Sequence, residues 1–243
     1  MNKYKSSAEL KDLAKEKLNG NYRTTIIAMV IVTGLPYLIS SLLPTGGYVW
    51  TILSFVVSTI VSVIVGVFQI GLNFMFLNIA CGQPFSSADI YYGFRNNPDN
   101  SVKLSIVQAA VSILPMLPYQ IFMIMYLNTN NLTWYIATLL TLALGLLIYV
   151  PFSLAISQSY YLLLDFPDYS VKQLLQTSCK IMKGHMGRLF YIQASFIPLM
   201  LLGALSFMIG MLWVLPYMQM TQTLFFLDLM NPQKKISSNG ECS

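Results

Sequence analysis

Charged side chains are what this sequence has least of. Asp, Glu, Lys and Arg make up 9% of its 243 residues, whereas about 25% is usual in a soluble domain. The segments 24–88, 104–164 and 189–227 contain no charged residue at all. A helix crosses a bilayer with about 20 apolar residues, so two of these segments are about three spans long and the third is about two. This pattern excludes a soluble domain and predicts a membrane protein.

The residues and patterns that usually mark an enzyme are also missing. There is one histidine, His185, and no Walker A loop, GxGxxG or CxxC motif. Asp165 and Asp168 lie on the same predicted face as His185, but no nucleophile or metal-ligand spacing accompanies them. No ionisable residue falls at the centre of a predicted span, which argues against an ion-coupled pump. We therefore predict no catalytic residue, no cofactor, no metal and no enzymatic activity.

Turn-forming residues divide each uncharged segment. They occur at 43–47 (LPTGG), at 128–131 (NTNN) and, more weakly, at 208–211 (MIGM). Strict alternation of apolar and polar residues, which is typical of barrel strands, is absent, so we expect helices. The sequence predicts an all-α polytopic membrane protein with three helical hairpins and six spans, at 24–43, 49–80, 104–126, 132–164, 189–208 and 212–229.

The basic residues indicate the orientation. With six spans, all 14 Lys and Arg fall on one face of the membrane. The positive-inside rule makes that face cytoplasmic, so both termini are predicted to be cytoplasmic. The net charge of +5 lies on this face and would attract anionic lipid. It offers too little exposed basic area for nucleic acid.

Two sets of markers repeat along the chain with a period near 80 residues. Trp50, Trp134 and Trp213 are 84 and 79 residues apart, each just after a predicted outer turn. Tryptophan favours the membrane–water boundary, so these three are predicted anchors at the outer interface. Arg23, Lys103 and Arg188 open the first helix of each hairpin, 80 and 85 residues apart. The repeat predicts one membrane domain, 1–243, made of units 7–85, 86–168 and 169–230 and a flexible cytoplasmic tail, 231–243.

A short amphipathic segment precedes each hairpin. Ser6 with Glu9, and Ser170 with Gln173, have the spacing of a helix capping box. Helices of this kind tend to lie along the membrane surface. We therefore predict cytoplasmic amphipathic surface helices, with basic residues that contact the membrane surface at Lys172, Lys180, Lys183, Arg188, Arg23 and Lys103.

Uncharged polar residues occur within the predicted spans. They either bond between helices or line a polar cavity. The residues that we predict as candidates for a cavity are Gln108, Gln158, Gln193 and Gln222.

Two segments resemble a known family. The run Met182–Phe190 (MKGHMGRLF), followed by 212–219 (LWVLPYMQ), is similar to an uncharacterised bacterial membrane family, domain of unknown function 975. Residues 18–22 (LNGNY) and 92–94 (YGF) resemble its other landmarks. The resemblance implies a protein of the bacterial cytoplasmic membrane and implies no activity.

Two functions agree with these patterns. The first is a non-enzymatic envelope protein that binds lipid, anionic on the cytoplasmic side, or a membrane partner such as another protein or a second copy of the chain. The alternative is a passive transporter or immunity-type protein for a small amphipathic molecule or peptide, which the proline-containing helices and intramembrane glutamines would serve.

Overall fold

The structure is a computed structural model that describes residues 4–43 and 47–231, without the side chains of residues 40, 47 and 48. Every regular element in these residues is helical, so the all-α prediction is confirmed for the described chain. Short 3-10 turns lie at Ser87–Tyr91 and Leu114–Met116. The α-helices are α1 Ser7–Leu18, α2 Tyr22–Ser41, α3 Gly47–Ala80, α4 Tyr92–Arg95, α5 Pro98–Ile113, α6 Leu117–Thr129, α7 Leu132–Ile156, α8 Ser159–Asp165, α9 Val171–Met182, α10 Met186–Ala194, α11 Ile197–Leu205 and α12 Met211–Met230.

Five helical stretches among the described residues are long and apolar enough to cross a membrane. They coincide with the first five predicted spans, and they are Tyr22–Ile39, Val49–Ala80, Pro98–Thr129, Leu132–Asp165 and Met186–Leu205. The sixth predicted span corresponds to α12, which has 20 residues like α2. Its polar residues lower its apolar character, and ten of its residues are buried against other helices. The count of six spans therefore stays a prediction.

The predicted turns occur where the residue types favour them. Asn130 adopts a left-handed conformation with φ 49° after α6, and the Asn131 side chain accepts a hydrogen bond from the Thr133 backbone N–H at 2.9 Å. The third turn contains Phe207 and Met208, both with positive φ. The centre of the first turn, 44–46, and the tail beyond Asn231 lie outside the described residues. α2 contacts α3, α6 contacts α7, and α11 contacts α12.

Exposed apolar side chains of the spanning helices form what we call the apolar band, defined by residues 27–42, 49–64, 106–127, 132–152 and 190–209. On α3 the band ends at Ile64, so it covers about 23 Å of helix. From Val65 to Ala80, α3 has no exposed residue. The helix is thus longer than a perpendicular span because its second half is enclosed by protein. Arg23 lies one turn before Ile27, and Lys103 lies near Ile106. Both basic residues are exposed, at the same end of the band.

The amphipathic helices α1 and α9 pack on protein. Both predicted capping boxes are present. Leu10, Ala14 and Leu18 of α1 are completely buried, and α1 contacts α12. The Lys5 backbone N–H donates to the Asp228 carboxylate at 3.3 Å, while the Lys15 ammonium lies 5.7 Å from the Tyr217 ring centre. α1 and α12 are therefore antiparallel.

The apolar face of α9 is covered in the same way. Leu174, Ser178 and Met182 are buried, and the Ser178 hydroxyl donates to the Ala155 carbonyl at 2.8 Å. This differs from the expectation that these faces would meet the membrane surface. The apolar faces are present, but neighbouring helices cover them.

Candidate functional site: a polar cavity between the helices

A cavity of about 580 Å³ is lined by residues of α3, α5, α7, α8, α10, α11 and α12. Six of its lining residues carry side-chain amides: Gln69, Asn73, Gln108, Gln193, Gln219 and Gln222. Five more carry hydroxyls: Tyr149, Ser153, Ser157, Tyr160 and Tyr161. Phe190, Ile197 and Met218 add apolar surface, and none of the lining side chains is charged. The cavity therefore suits a ligand that has both polar and apolar parts.

A second cavity of about 250 Å³ adjoins the first between α3, α5 and α7. The two share Gln69, Gln108, Tyr149, Ser153 and Tyr160. Gly66 lets the helices meet here, because a Cβ at this position would lie 2.7 Å from both the Ser105 and the Tyr160 hydroxyl oxygens. We refer to the two adjoining cavities together as the polar groove.

One wall of the groove is held by a hydrogen-bond network. The Asn73 side-chain oxygen accepts from the Gln69 amide at 3.1 Å and from the Gln219 amide at 2.7 Å. The Gln219 amide also lies 3.1 Å from the Tyr161 hydroxyl, which is 3.0 Å from the Thr223 hydroxyl. Buried polar groups are costly without partners, so this network ties α3, α8 and α12 together.

Two amides in the groove are not used in this way. Gln193 on α10 and Gln222 on α12 are half-buried and line the larger cavity. Neither side chain hydrogen-bonds to another residue in the described part of the chain. Each side-chain amide offers two N–H donors and a carbonyl acceptor. These groups are therefore available to a ligand.

The structure brings together three of the four residues predicted for a cavity. Gln108, Gln193 and Gln222 line the groove. Gln158 does not line it: it is 2% exposed, and its amide donates to the Ser157 hydroxyl at 2.8 Å. The Gln158 side-chain oxygen has no partner among the described residues. The functional role of the four stays a prediction.

Gln69, Asn73 and Gln219 also line the groove, although they are not among the four candidates chosen from the polar residues of the predicted spans. Their spacing in the sequence could have identified them. Gln69 and Asn73 are four residues apart on α3, as are Gln219 and Thr223 on α12. Residues at this spacing share one face of a helix. Two such polar pairs on apolar helices indicate faces that meet each other rather than lipid.

The groove lies at the edge of the apolar band where the basic residues are. On α3, Gln69 and Asn73 follow Ile64, the last exposed apolar residue of that helix. On α7, Ser153 and Ser157 follow Phe152, which is exposed. The larger cavity thus lies beside the end of the exposed apolar band.

The predicted surface residues fall into two groups. Arg23, Lys103, Lys172, Lys180 and Lys183 are exposed. Arg188 is instead paired with Asp228, and it donates to the Lys5 carbonyl at 2.6 Å. This guanidinium is occupied by protein contacts, so it differs from the other basic residues predicted to meet lipid.

The predicted interface anchors also differ from one another. Trp50 and Trp213 are exposed. Trp134 is partly covered and stacks on Phe122 with ring centres 5.9 Å apart.

The arrangement defines an all-helical protein with several helices fit to span a membrane and an uncharged polar groove beside its apolar band. The family model described as "protein of unknown function (DUF975)" matches residues 1–233, and the chain belongs to this family. Comparison with curated proteins and with solved structures finds no match.

Proposed function

We propose that this protein is a non-enzymatic protein of the bacterial cytoplasmic membrane that binds an amphipathic lipid. The polar end of the lipid occupies the groove, and its apolar part remains in the bilayer along the apolar band. The observation that carries this proposal is the pair of free amides, Gln193 and Gln222, in a cavity of about 580 Å³ beside the end of the band. Ligand sites of about 300–1,000 Å³ with a few placed polar groups are typical of small-molecule binding.

The groove supports lipid binding better than the amphipathic helices do. The apolar faces of α1 and α9 are buried in protein, so they have little apolar surface left for the membrane. Their exposed lysines, such as Lys172 and Lys180, would add attraction to anionic lipid of about 1 kcal/mol each near the surface. This attraction would enrich anionic lipid around the protein without selecting a ligand for the groove.

The test is recovery of bound lipid from gently extracted protein by native mass spectrometry. We expect Gln193→Leu/Gln222→Leu to lower occupancy about 10- to 30-fold, because each neutral hydrogen bond contributes about 1 kcal/mol. The matched control is Gln176→Leu, since Gln176 is exposed on α9 outside the groove. Equal lipid recovery from the double variant and the control would refute the proposal.

A passive transporter is the second candidate. The observation that favours it is the second cavity, which shares Gln108 with the first and lies between α3, α5 and α7. A passage predicts that Gln108→Cys reacts with membrane-impermeant maleimide from both sides of the membrane, with the native cysteines replaced by serine. Leu104→Cys is the control, because Leu104 is completely buried. Reaction from one side alone would favour a binding site that does not cross the membrane.

A further inference from the structure

We infer that the lipid head group taken by the groove is uncharged and rich in hydroxyls, as in a glycosyl or glyceryl head group, and is not a phosphate. This inference rests on the proposed lipid-binding function and names the ligand class. It follows from the charges near the groove, from the polar groups that line it and from its exposed apolar side chains.

The groove has no cation to offer a phosphate. Its polar lining consists of amides and hydroxyls alone. Two basic residues lie close to the groove-lining part of the chain, and both have protein contacts. Arg188 is paired with Asp228, and the Lys11 ammonium donates to the Ser195 carbonyl at 3.4 Å and lies 4.5 Å from the Phe196 ring centre. A phosphate moved into such a site would lose its hydration without gaining a counter-charge, which is strongly unfavourable.

The available groups suit hydroxyls instead. Each hydroxyl of a head group both donates and accepts a hydrogen bond, and the free amides of Gln193 and Gln222 present donors and an acceptor side by side. Tyr149 and Ser153, which line both parts of the groove, add hydroxyls. A polar head without charge can therefore replace its hydration shell with protein hydrogen bonds.

Exposed apolar side chains that line the groove favour a lipid over a soluble polyol. Phe190 and Ile197 line the larger cavity and also belong to the exposed apolar band. A ligand with its head among the amides can thus extend an acyl chain past these side chains into the bilayer. A soluble sugar would leave this apolar surface uncovered.

The experiment places the full-length protein in phosphatidylcholine nanodiscs that contain equal amounts of monoglucosyl-diacylglycerol and phosphatidylglycerol. Bound lipid is measured by native mass spectrometry. We expect the glucosyl lipid to be enriched about tenfold over phosphatidylglycerol on the wild-type protein, and this enrichment to be lost in Gln193→Leu/Gln222→Leu but kept in Gln176→Leu. Gln193→Lys, which places a cation in the groove, should shift the preference toward phosphatidylglycerol by about tenfold.

The outcomes separate this inference from the proposed function. Groove-dependent binding of phosphatidylglycerol at or above the level of the glucosyl lipid would overturn the head-group inference and leave lipid binding intact. No groove-dependent binding of either lipid would overturn both. Binding of methyl glucoside as tightly as the glucosyl lipid would overturn the lipid part of the inference, because the acyl chains would then add no affinity. If the leucine double variant does not fold, the change in preference caused by Gln193→Lys decides the question.

Discussion

The contact between Arg188 and Asp228 joins three distant parts of the chain. Their side chains are 19% and 4% exposed, respectively. The Asp228 carboxylate also accepts from the Lys5 backbone N–H, and the Arg188 guanidinium lies 4.9 Å from the Phe225 ring centre. The start of the chain is therefore held against α10 and α12 by a largely buried charge pair. Buried pairs of this kind are more costly to break than to replace.

Asp228→Asn should destabilise the protein by removing the counter-charge of Arg188. We expect the free energy of unfolding to fall by about 3 kcal/mol, because the guanidinium stays largely buried and unpaired. Chemical unfolding in detergent, followed by tryptophan fluorescence, measures the change. The double variant Arg188→Met/Asp228→Leu should recover most of the loss. A single variant within about 0.5 kcal/mol of the wild type would show that the pair does not hold the N-terminus.

The cap of α1 should weaken in acid. The pKa of Glu9 is lowered because its carboxylate accepts hydrogen bonds from the Ser6 backbone N–H and hydroxyl. A lowered folded pKa contributes stability that is present above the ordinary glutamate pKa of 4.5 and is lost as the pH falls through the folded pKa. Amide protection in α1, corrected for intrinsic exchange, should therefore fall between about pH 5 and pH 3.

Glu9→Gln is the control for this pH effect, because the same position in the cap of α9 is Gln173. Glutamine still accepts the hydrogen bond but does not titrate, so the variant should keep the same protection at both pH values. An equal loss in the variant would assign the pH effect to another group.

At the scale of elements, the sequence predicted the helices well and their partners poorly. The capping boxes at Ser6 and Ser170 are local, since both partners lie within three residues, and both are confirmed. The burial of Leu10 and Leu174 is not local. An amphipathic pattern shows that a helix has an apolar face, but it does not distinguish a membrane surface from another helix as the surface that covers it.

The groove shows the same limit. Glutamines inside apolar segments are easy to find in the sequence, but which of them converge depends on helix rotation and packing. Gln158 directly precedes α8 and is turned into the bundle, while Gln193 and Gln222 come from two other helices and meet in one cavity. No local property of the sequence separates the first from the other two.

Close packing of α3 against the Ser87–Tyr91 turn predicts a strong effect at Gly71. A Cβ at Gly71 would lie 2.1 Å from the Ile90 carbonyl oxygen, which is backbone and cannot move aside cheaply. We expect Gly71→Ala to lower the free energy of unfolding by about 2 kcal/mol through overpacking. The measurement is chemical unfolding in detergent.

Gly34→Ala is the matched control, because Gly34 is also within a helix and a Cβ there meets nothing within 4 Å. Alanine is the better helix former by about 1 kcal/mol, so this variant should be neutral or slightly stabilising. Equal destabilisation by both variants would attribute the effect to the helix and not to the contact with Ile90.

At the scale of the whole molecule, α12 explains why hydropathy alone finds five spans. α12 contacts α1, α2, α3, α10 and α11, so it lies among other helices and needs less apolar surface for lipid. Its polar residues, including Gln219 and Thr223, bond to other helices. A helix enclosed by protein can cross a membrane with more polar residues than a helix exposed to lipid. Its 20 residues span about 30 Å, which equals the thickness of the hydrocarbon core.

We therefore expect α12 to cross the membrane, and reporter fusions test this directly. Alkaline phosphatase fused after Asn130 or Gly210 should be active, because both positions lie in turns on the predicted outer side. After Asn97 or Asn231, a fused alkaline phosphatase should be inactive and a fused green fluorescent protein should be fluorescent, because both positions lie on the basic face. The informative pair is Gly210 and Asn231, which flank α12. If both reporters lie on the same side, α12 does not cross the membrane, and five spans place the two ends of the chain on opposite sides.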